Sequence, residues 1–442
     1  MGGMKLRIEK AVYGGSGLAH ATEGKDAGKA VFVPFVLPGE LVEARLTEKK
    51  NGFDEAALLR VIEPSSVRVK PLCGHFGLCG GCQYQHAGYT AQLEIKTGIL
   101  RETLERAGIA QIPEIKPHSG EPWGYRNRIR LRVAASREPT PGDSLQVGYN
   151  KRGSNEFFAV RECPIAAPLL WRAAQAFAEI GREGSVAGRW AREAVEVEFF
   201  CTGDEQKLQM TVFVRKERVG GFGELCERLR VVVPELVGAG VSIIAGDAKR
   251  RAQKTRPLQG WGSDGLVYAV ADEEYWVGRG SFFQMNRSLV GELARVVTHG
   301  RRGTIAWDLY AGVGLFSRLL ARAFEQVVAV EAAGDDLAKS FKGPGRRAVS
   351  TTTVEFLRGA AVQRERPELV VMDPPRAGVG AEACSLLAKI SPTEIVYVSC
   401  DPVTLARDLR ELLKSGYRLA EVHLFDMFPQ TYHLETVAIL NR

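Results

Sequence analysis

The chain has 442 residues, 45% of them hydrophobic, which is enough for two or three domains with real cores. Lys and Arg outnumber Asp and Glu by 59 to 52, a balance compatible with a polyanionic partner without requiring one. No apolar run approaches the roughly 18 residues of a membrane span, and MGGMKLRIEK lacks the apolar core of a signal peptide, so a cytoplasmic protein is expected and its 8 cysteines are not expected to form disulfides.

Residues 4 to about 63 alternate short apolar segments with turn signals: Leu6 to Ile8, the YGGSG turn at Tyr13 to Gly17, Ala30 to Val36, Pro38-Gly39, Leu41 to Leu46 and Ala56 to Ile62. About five strands closing as a small β-barrel are predicted, a unit that often carries nucleic acid. Next, Cys73, Cys79 and Cys82 are spaced C-x5-C-x2-C among four glycines. Three thiols so crowded in a reducing compartment point to a metal centre, with Cys163 in RECPIA as the best fourth ligand. An iron–sulfur cluster fits the Cys-Pro ending at 163–164, and structural zinc is the alternative.

An amphipathic helix is predicted from Ala91 to Ala107. In YRNRIRLRV, Arg126, Arg128, Arg130 and Arg132 fall on every second residue, so a strand puts them on one face with Asn127, Ile129, Leu131 and Val133 behind. Four like charges there fit an RNA backbone, and a solvated face with local carboxylate partners is the plainer reading. Residues 165 to 280 read as mixed α+β, with strands at Ala194 to Phe200 and Leu208 to Val214, a basic run at Lys249 to Arg256, and GRGSFFQMN as the closing segment.

The last third alternates strand-like and helical stretches, as a doubly wound sheet does. Strands are predicted at Thr304 to Asp308, Gln326 to Glu331, Glu368 to Asp373, Glu394 to Cys400, Ala420 to Phe425 and Thr436 to Leu440. The turn from Asp308 through Tyr310, Gly312 and Gly314 to Ser317 leads into a helix and suits a nucleotide-like cofactor, with Glu331 placed to reach a ribose. Ser317 stands where a dinucleotide fingerprint has its third glycine, which favours S-adenosylmethionine over NAD. MDPPRAGV holds Asp373 in a proline-stiffened loop. EIVYVSCDP delivers Cys400 to a strand's carboxyl end, with Asp401 as helix N-cap and Pro402 as first helical residue. A helix amino terminus favours a thiolate, whereas the plainer reading of Cys400 is a small core residue.

Together, DLYAGVG, Glu331, DPPR, SCDP and HLETVA resemble the 5-methyluridine RNA methyltransferases over essentially the whole chain. The resemblance is to the bacterial 23S rRNA branch with an N-terminal TRAM barrel and a 4Fe-4S cluster. It implies an RNA-binding barrel over 1–63, a central RNA-binding domain with the cysteine cluster over 64–275, and a Rossmann-like α/β methyltransferase domain over 276–442. It also implies Gln284, Tyr310, Gly312, Glu331 and Asp373 around S-adenosylmethionine and uracil, Cys400 as nucleophile, Glu435 as base, and Cys73, Cys79, Cys82 and Cys163 around the cluster. Arg126, Arg128, Arg130 and Arg132 would face RNA, ribosomal or transfer, and the chain would act as a monomer away from membranes. Ala311 replaces a cysteine common in relatives, and Thr353 stands where many carry Asn or Asp near the adenine.

Overall fold

The computed structural model describes residues 3–22, 27–134, 145–217, 220–245, 254–333 and 335–442. Most of the basic run at 249–256 lies outside them. Among the described residues six amino-terminal strands between Met4 and Glu63 curl around Leu6, Val31, Val33, Val42 and Ala44, one more strand than the turn signals suggest. The sheet's two end strands, Met4–Arg7 and Lys10–Ala11, are consecutive in the chain, so the segment at Ile8 and Glu9 brings the ends of the ladder together.

Among the described residues the central region is a seven-stranded sheet backed by helices Pro168–Ile180, Val186–Glu193 and Phe222–Val232. Strands Glu196–Cys201 and Leu208–Val214 pair antiparallel as their alternation predicts. Strand Arg128–Ala134 buries Ile129 and Leu131 in the core beneath, matching the period-two pattern.

The carboxyl-terminal sheet has eight strands among the described residues, in the spatial order Arg346–Val349, Phe324–Val330, Gly303–Leu309, Leu369–Met372, Glu394–Ser399, Glu435–Asn441, Arg418–Phe425 and Ile115–His118. The first five run parallel, and Glu435–Asn441 is antiparallel to both its neighbours. Both faces are covered: Ile395, Val396, Tyr397 and Val398 are fully buried. This is the expected doubly wound domain, and its reversed strand matters most for the site.

The barrel's last strand ends at Glu63, and within the segment 64–275 two stretches pack against the carboxyl-terminal sheet. Strand Ile115–His118 pairs with Arg418–Phe425, and Ile99, Leu100 and Leu104 of helix Tyr89–Arg106 join the carboxyl-terminal core. The apolar stripe of that helix is satisfied by the carboxyl-terminal sheet rather than the central one. Position 275 falls inside strand Glu273–Gly278, whose hairpin with Gly265–Val270 buries Tyr268, Tyr275 and Val277 in the same domain.

Candidate active site

The reversed strand explains the meeting of Cys400 and Glu435. Strands Glu394–Ser399 and Glu435–Asn441 pair with Ser399 opposite Thr436, so one further step of the register sets Cys400 against Glu435. An antiparallel neighbour is the only kind whose first residue lies beside another strand's last. The parallel neighbour Leu369–Met372 ends at the same edge and delivers Asp373. Behind Cys400, Asp401 caps helix Pro402–Lys414, accepting from Val403 N and Thr404 N at 3.0 Å each, as its sequence predicts.

Three acidic groups thus share one pocket, and their titration is linked. Burial, then the charges of Glu435 and Asp373, push the Cys400 thiol up to about 12. Burial and Asp373 hold Glu435 well above the usual carboxylate range, and burial with Asp308 moves Asp373 to about 7. The thiolate expected from the helix terminus is therefore opposed by desolvation and like charge, and the thiol is the resting form. Glu435 is 3% exposed and its Oε1 has no hydrogen-bond partner. A buried, unsatisfied carboxylate oxygen beside a cysteine is poised to accept a proton. Arg376 supplies the opposing charge, lowering both Cys400 and Glu435. Its Nη2 donates to His433 Nδ1 at 3.2 Å, and burial followed by Arg376 holds His433 down near 4, so the imidazole is neutral.

The glycine turn forms the adjoining half. Tyr310 has φ 62°, an uncommon left-handed conformation for a tyrosine, followed by Gly312 at 56° and Gly314 at 87°. The turn is tied down by Glu331, which accepts from Gly312 N and Ala333 N, both at 3.0 Å. At its far end Ser317 donates to Asp308, whose carboxyl burial raises to about 7 while its other oxygen stays unpartnered. Gln284 donates to Asp373 at 3.0 Å, linking GRGSFFQMN to the pocket, and Phe282 beside it is 66% exposed. Thr353 opens helix Thr353–Gln363 against the Tyr310 hydroxyl, while Thr352 and Glu355 form the helix's capping box. The backbone at Gly312 is bare, with no heavy atom within 4 Å of the point where a β-carbon would stand, and together with the anchored Glu331 it makes a cradle that fits an adenosyl group.

Several supporting residues were not singled out from the sequence. Lys96 is fully buried and donates to Asp426 Oδ1 at 2.6 Å, pinning the loop that runs on to Glu435. Gln430, in the left-handed region at φ 69°, exchanges two bonds with Gln92 and accepts from Gln83 N and Tyr84 N at 2.9 Å each. Tyr13 of the barrel reaches Asp401 Oδ2 at 3.3 Å and packs edge-on against Tyr432. The signals were a lysine interrupting an apolar helix stripe and glutamines spaced far apart in the chain, neither of which names its partner.

Cys73, Cys79, Cys82 and Cys163 meet around one cavity of about 330 Å³ that Cys400 does not line, with the Gly81 amide donating to Cys79 Sγ at 3.4 Å. Among the described residues no three His, Cys, Asp or Glu side chains converge on a single-ion site. The arginine row divides. Arg128 pairs with Glu198 at 3.3 Å and Arg130 with Glu196 at 2.5 Å, while Arg132 donates to Asn150 and Asn155. Local partners on the neighbouring strand thus answer the expected repulsion. Arg126 turns instead into the cysteine cavity.

Comparison with known proteins agrees with this geometry. Residues 347–442 match the tRNA (uracil-5-)-methyltransferase family model. An uncharacterized RNA methyltransferase of Aquifex aeolicus (strain VF5) is 34% identical, covering 99% of this chain and 98% of the relative. The 23S rRNA (uracil(1939)-C(5))-methyltransferase RlmD of Aeromonas salmonicida (strain A449) is 31% identical, with 95% and 93% covered. The crystal structure of Pyrococcus abyssi tRNA (uracil-54, C5)-methyltransferase in complex with S-adenosyl-L-homocysteine has the same fold, with a TM-score of 0.74 at 23% identity over 99% of each chain. A glycine turn, a strand-end cysteine and a reversed strand carrying a buried glutamate therefore stand in a chain whose relatives match it from end to end, and it belongs to the RNA (uracil-5-)-methyltransferase family.

Proposed function

We propose that the protein methylates carbon 5 of a uridine in 23S rRNA, with Cys400 as covalent nucleophile and Glu435 as base. The observation that carries this is the register that sets Cys400 against Glu435 with an unpartnered carboxylate oxygen. S-adenosylmethionine, when bound, supplies an electrophilic methyl group at a sulfonium, and Tyr310, Gly312, Glu331, Gln284 and Asp373 are the residues that would hold it and the uracil.

The Cys400 thiol loses its proton to solvent, its sulfur bonds carbon 6 of the uracil, and the displaced π pair moves to the carbon 4 oxygen, making an enolate with a nucleophilic carbon 5. Arg376, the cation facing the pocket, favours the charged forms of both Cys400 and Glu435. Once carbon 5 carries the methyl group, Glu435 removes its remaining proton, the 5,6 double bond re-forms and the sulfur leaves. A proton-accepting Glu435 must be ionised, so its raised affinity for protons makes turnover climb with pH.

The target base has to leave its stack, and exposed Phe282 offers it an aromatic face. Between the barrel and helices Tyr89–Arg106 and Pro402–Lys414 runs a groove of about 900 Å³ lined by Tyr13, Phe32, Phe53, Arg106 and Arg152. Aromatic faces among cations suit a single strand, which supports the barrel over 1–63 as an RNA-binding unit. A 4Fe-4S cluster is the reading we propose for the cysteine cavity, because four soft sulfur donors surround it. No helix among the described residues is long and apolar enough to cross a membrane, and we place the protein, as a monomer, in the cytoplasm.

The relatives divide on the RNA, RlmD acting on 23S rRNA and the Pyrococcus enzyme on tRNA. Purified protein given labelled S-adenosylmethionine should label 23S rRNA lacking 5-methyluridine and leave unmodified tRNA bare. Labelling of tRNA alone would reverse the assignment.

A further inference from the structure

Arg126 belongs by sequence to a row of four arginines, yet its surroundings differ from those of the other three. Its backbone is clamped between two loops: its N–H donates to Ile165 O at 3.0 Å, its carbonyl accepts from Ala167 N at 2.9 Å, and it bridges to Asn286 on its other side. The clamp aims the side chain into the cavity lined by Cys73, Cys79, Cys82 and Cys163. The guanidinium Nε is buried with no hydrogen-bond partner, and among the described residues no carboxylate pairs with Arg126. Arg128, whose Nε is also unpartnered and whose side chain is only 13% exposed, and Arg130 both have carboxylates within 3.3 Å, which Arg126 lacks. A half-buried guanidinium whose Nε has no partner and which no carboxylate pairs is costly unless something anionic lies before it. Glu162 also lines the cavity, but its carboxylate accepts from Gly74 N at 2.9 Å and makes no ion pair with Arg126, which leaves the four sulfurs as the potential anions before the guanidinium. On the cavity's other wall, the Tyr149 hydroxyl lies 3.9 Å from Cys163 Sγ.

We propose that Arg126 is the counter-cation of the metal centre, a positioning residue that balances the negative charge of a four-thiolate iron–sulfur cluster, with Tyr149 as a second hydrogen-bond donor to its sulfur shell. This rests on the cluster reading given above. A cubane held by four thiolates is negatively charged and becomes more so on one-electron reduction, so a fixed cation stabilises the reduced form and raises the reduction potential. Arg126 is thereby withdrawn from the RNA-facing row, and its loss should leave the electrostatics of RNA binding alone. A phosphate contact would behave oppositely, since each one contributes about one unit to the salt slope.

The test uses the full chain purified anaerobically, with iron and acid-labile sulfide counted and the cluster titrated with dithionite while its visible and EPR signals are followed. Wild-type protein without iron and sulfide would remove the cluster reading itself. With a cluster present, Arg126→Gln should shift the midpoint to lower potential while Arg130→Gln leaves it in place, and the salt slope of RNA binding by Arg126→Gln should match wild type. An unchanged midpoint in Arg126→Gln, or a salt slope lowered by about one, overturns the proposal. If Arg126→Gln sheds its iron, retention per folded chain decides. Arg126→Lys holding iron where Gln and Met variants lose it supports a counter-cation, and equal loss in all three overturns it.

Discussion

Cys400, Glu435 and Asp373 show how burial sets chemistry one side chain at a time. Each is pushed toward its protonated form by desolvation and by the others, so the site at rest stores protons that the reaction must move. Two outcomes follow for Glu435. Turnover should rise through the neutral range and continue upward, because the base works only when ionised and its proton is held well above the usual range. Glu435→Gln should slow product release by about 10²–10⁴-fold, the usual worth of a positioned base, while leaving bond formation at carbon 6 intact. A pH–rate profile and a single-turnover assay check these.

Asp308 adds a stability prediction of the same origin. Its carboxyl titrates near 7 in the fold against 3.8 when unfolded, so the folded chain holds the extra proton. Stability from this group is present below about pH 4 and is lost as pH rises toward 7. Asp308→Asn should therefore gain on wild type in urea unfolding as pH increases across that window, and a constant difference would contradict the account.

At the level of strands and helices, the site depends on one reversed strand and the loop that feeds it. Lys96 on helix Tyr89–Arg106 holds that loop through Asp426 with neither side chain exposed. Lys96→Ala leaves a buried carboxylate unpaired and should cost about 3–5 kcal/mol, measured by denaturant unfolding. The sequence showed the strand that carries Cys400, the Asp401 cap and the glycine turn because each is local: an apolar run, an N-cap residue and glycines where positive φ is needed. It did not show Ile115–His118 as an edge strand, since four residues containing a proline have no period to read. Nor could it show Lys96 meeting Asp426 330 positions away, or Arg126 leaving its row, because both depend on tertiary contacts that spacing does not encode.

Across the whole molecule, the cysteine cavity and the active site are neighbours joined by hydrogen bonds. Gln83, next to Cys82, donates to Gln430 O at 2.9 Å on the loop leading to Glu435. Asn127, next to Arg126, donates to the carbonyl of Gln284 at 2.9 Å. On the cluster reading proposed above, removal of iron by chelation should therefore lower methyl transfer. The readout is turnover of iron-free and reconstituted protein, with unfolding midpoints measured alongside, and equal turnover in both would separate the cavity from catalysis.

The measurement that bears most directly on the central claim is trapping of the covalent complex. Glu435→Gln incubated with S-adenosylmethionine and unmodified 23S rRNA should give a denaturation-resistant protein–RNA species whose digest carries a methylated uracil on Cys400. A methylated product released at wild-type rate by Cys400→Ala, with no such species formed by Glu435→Gln, would contradict it.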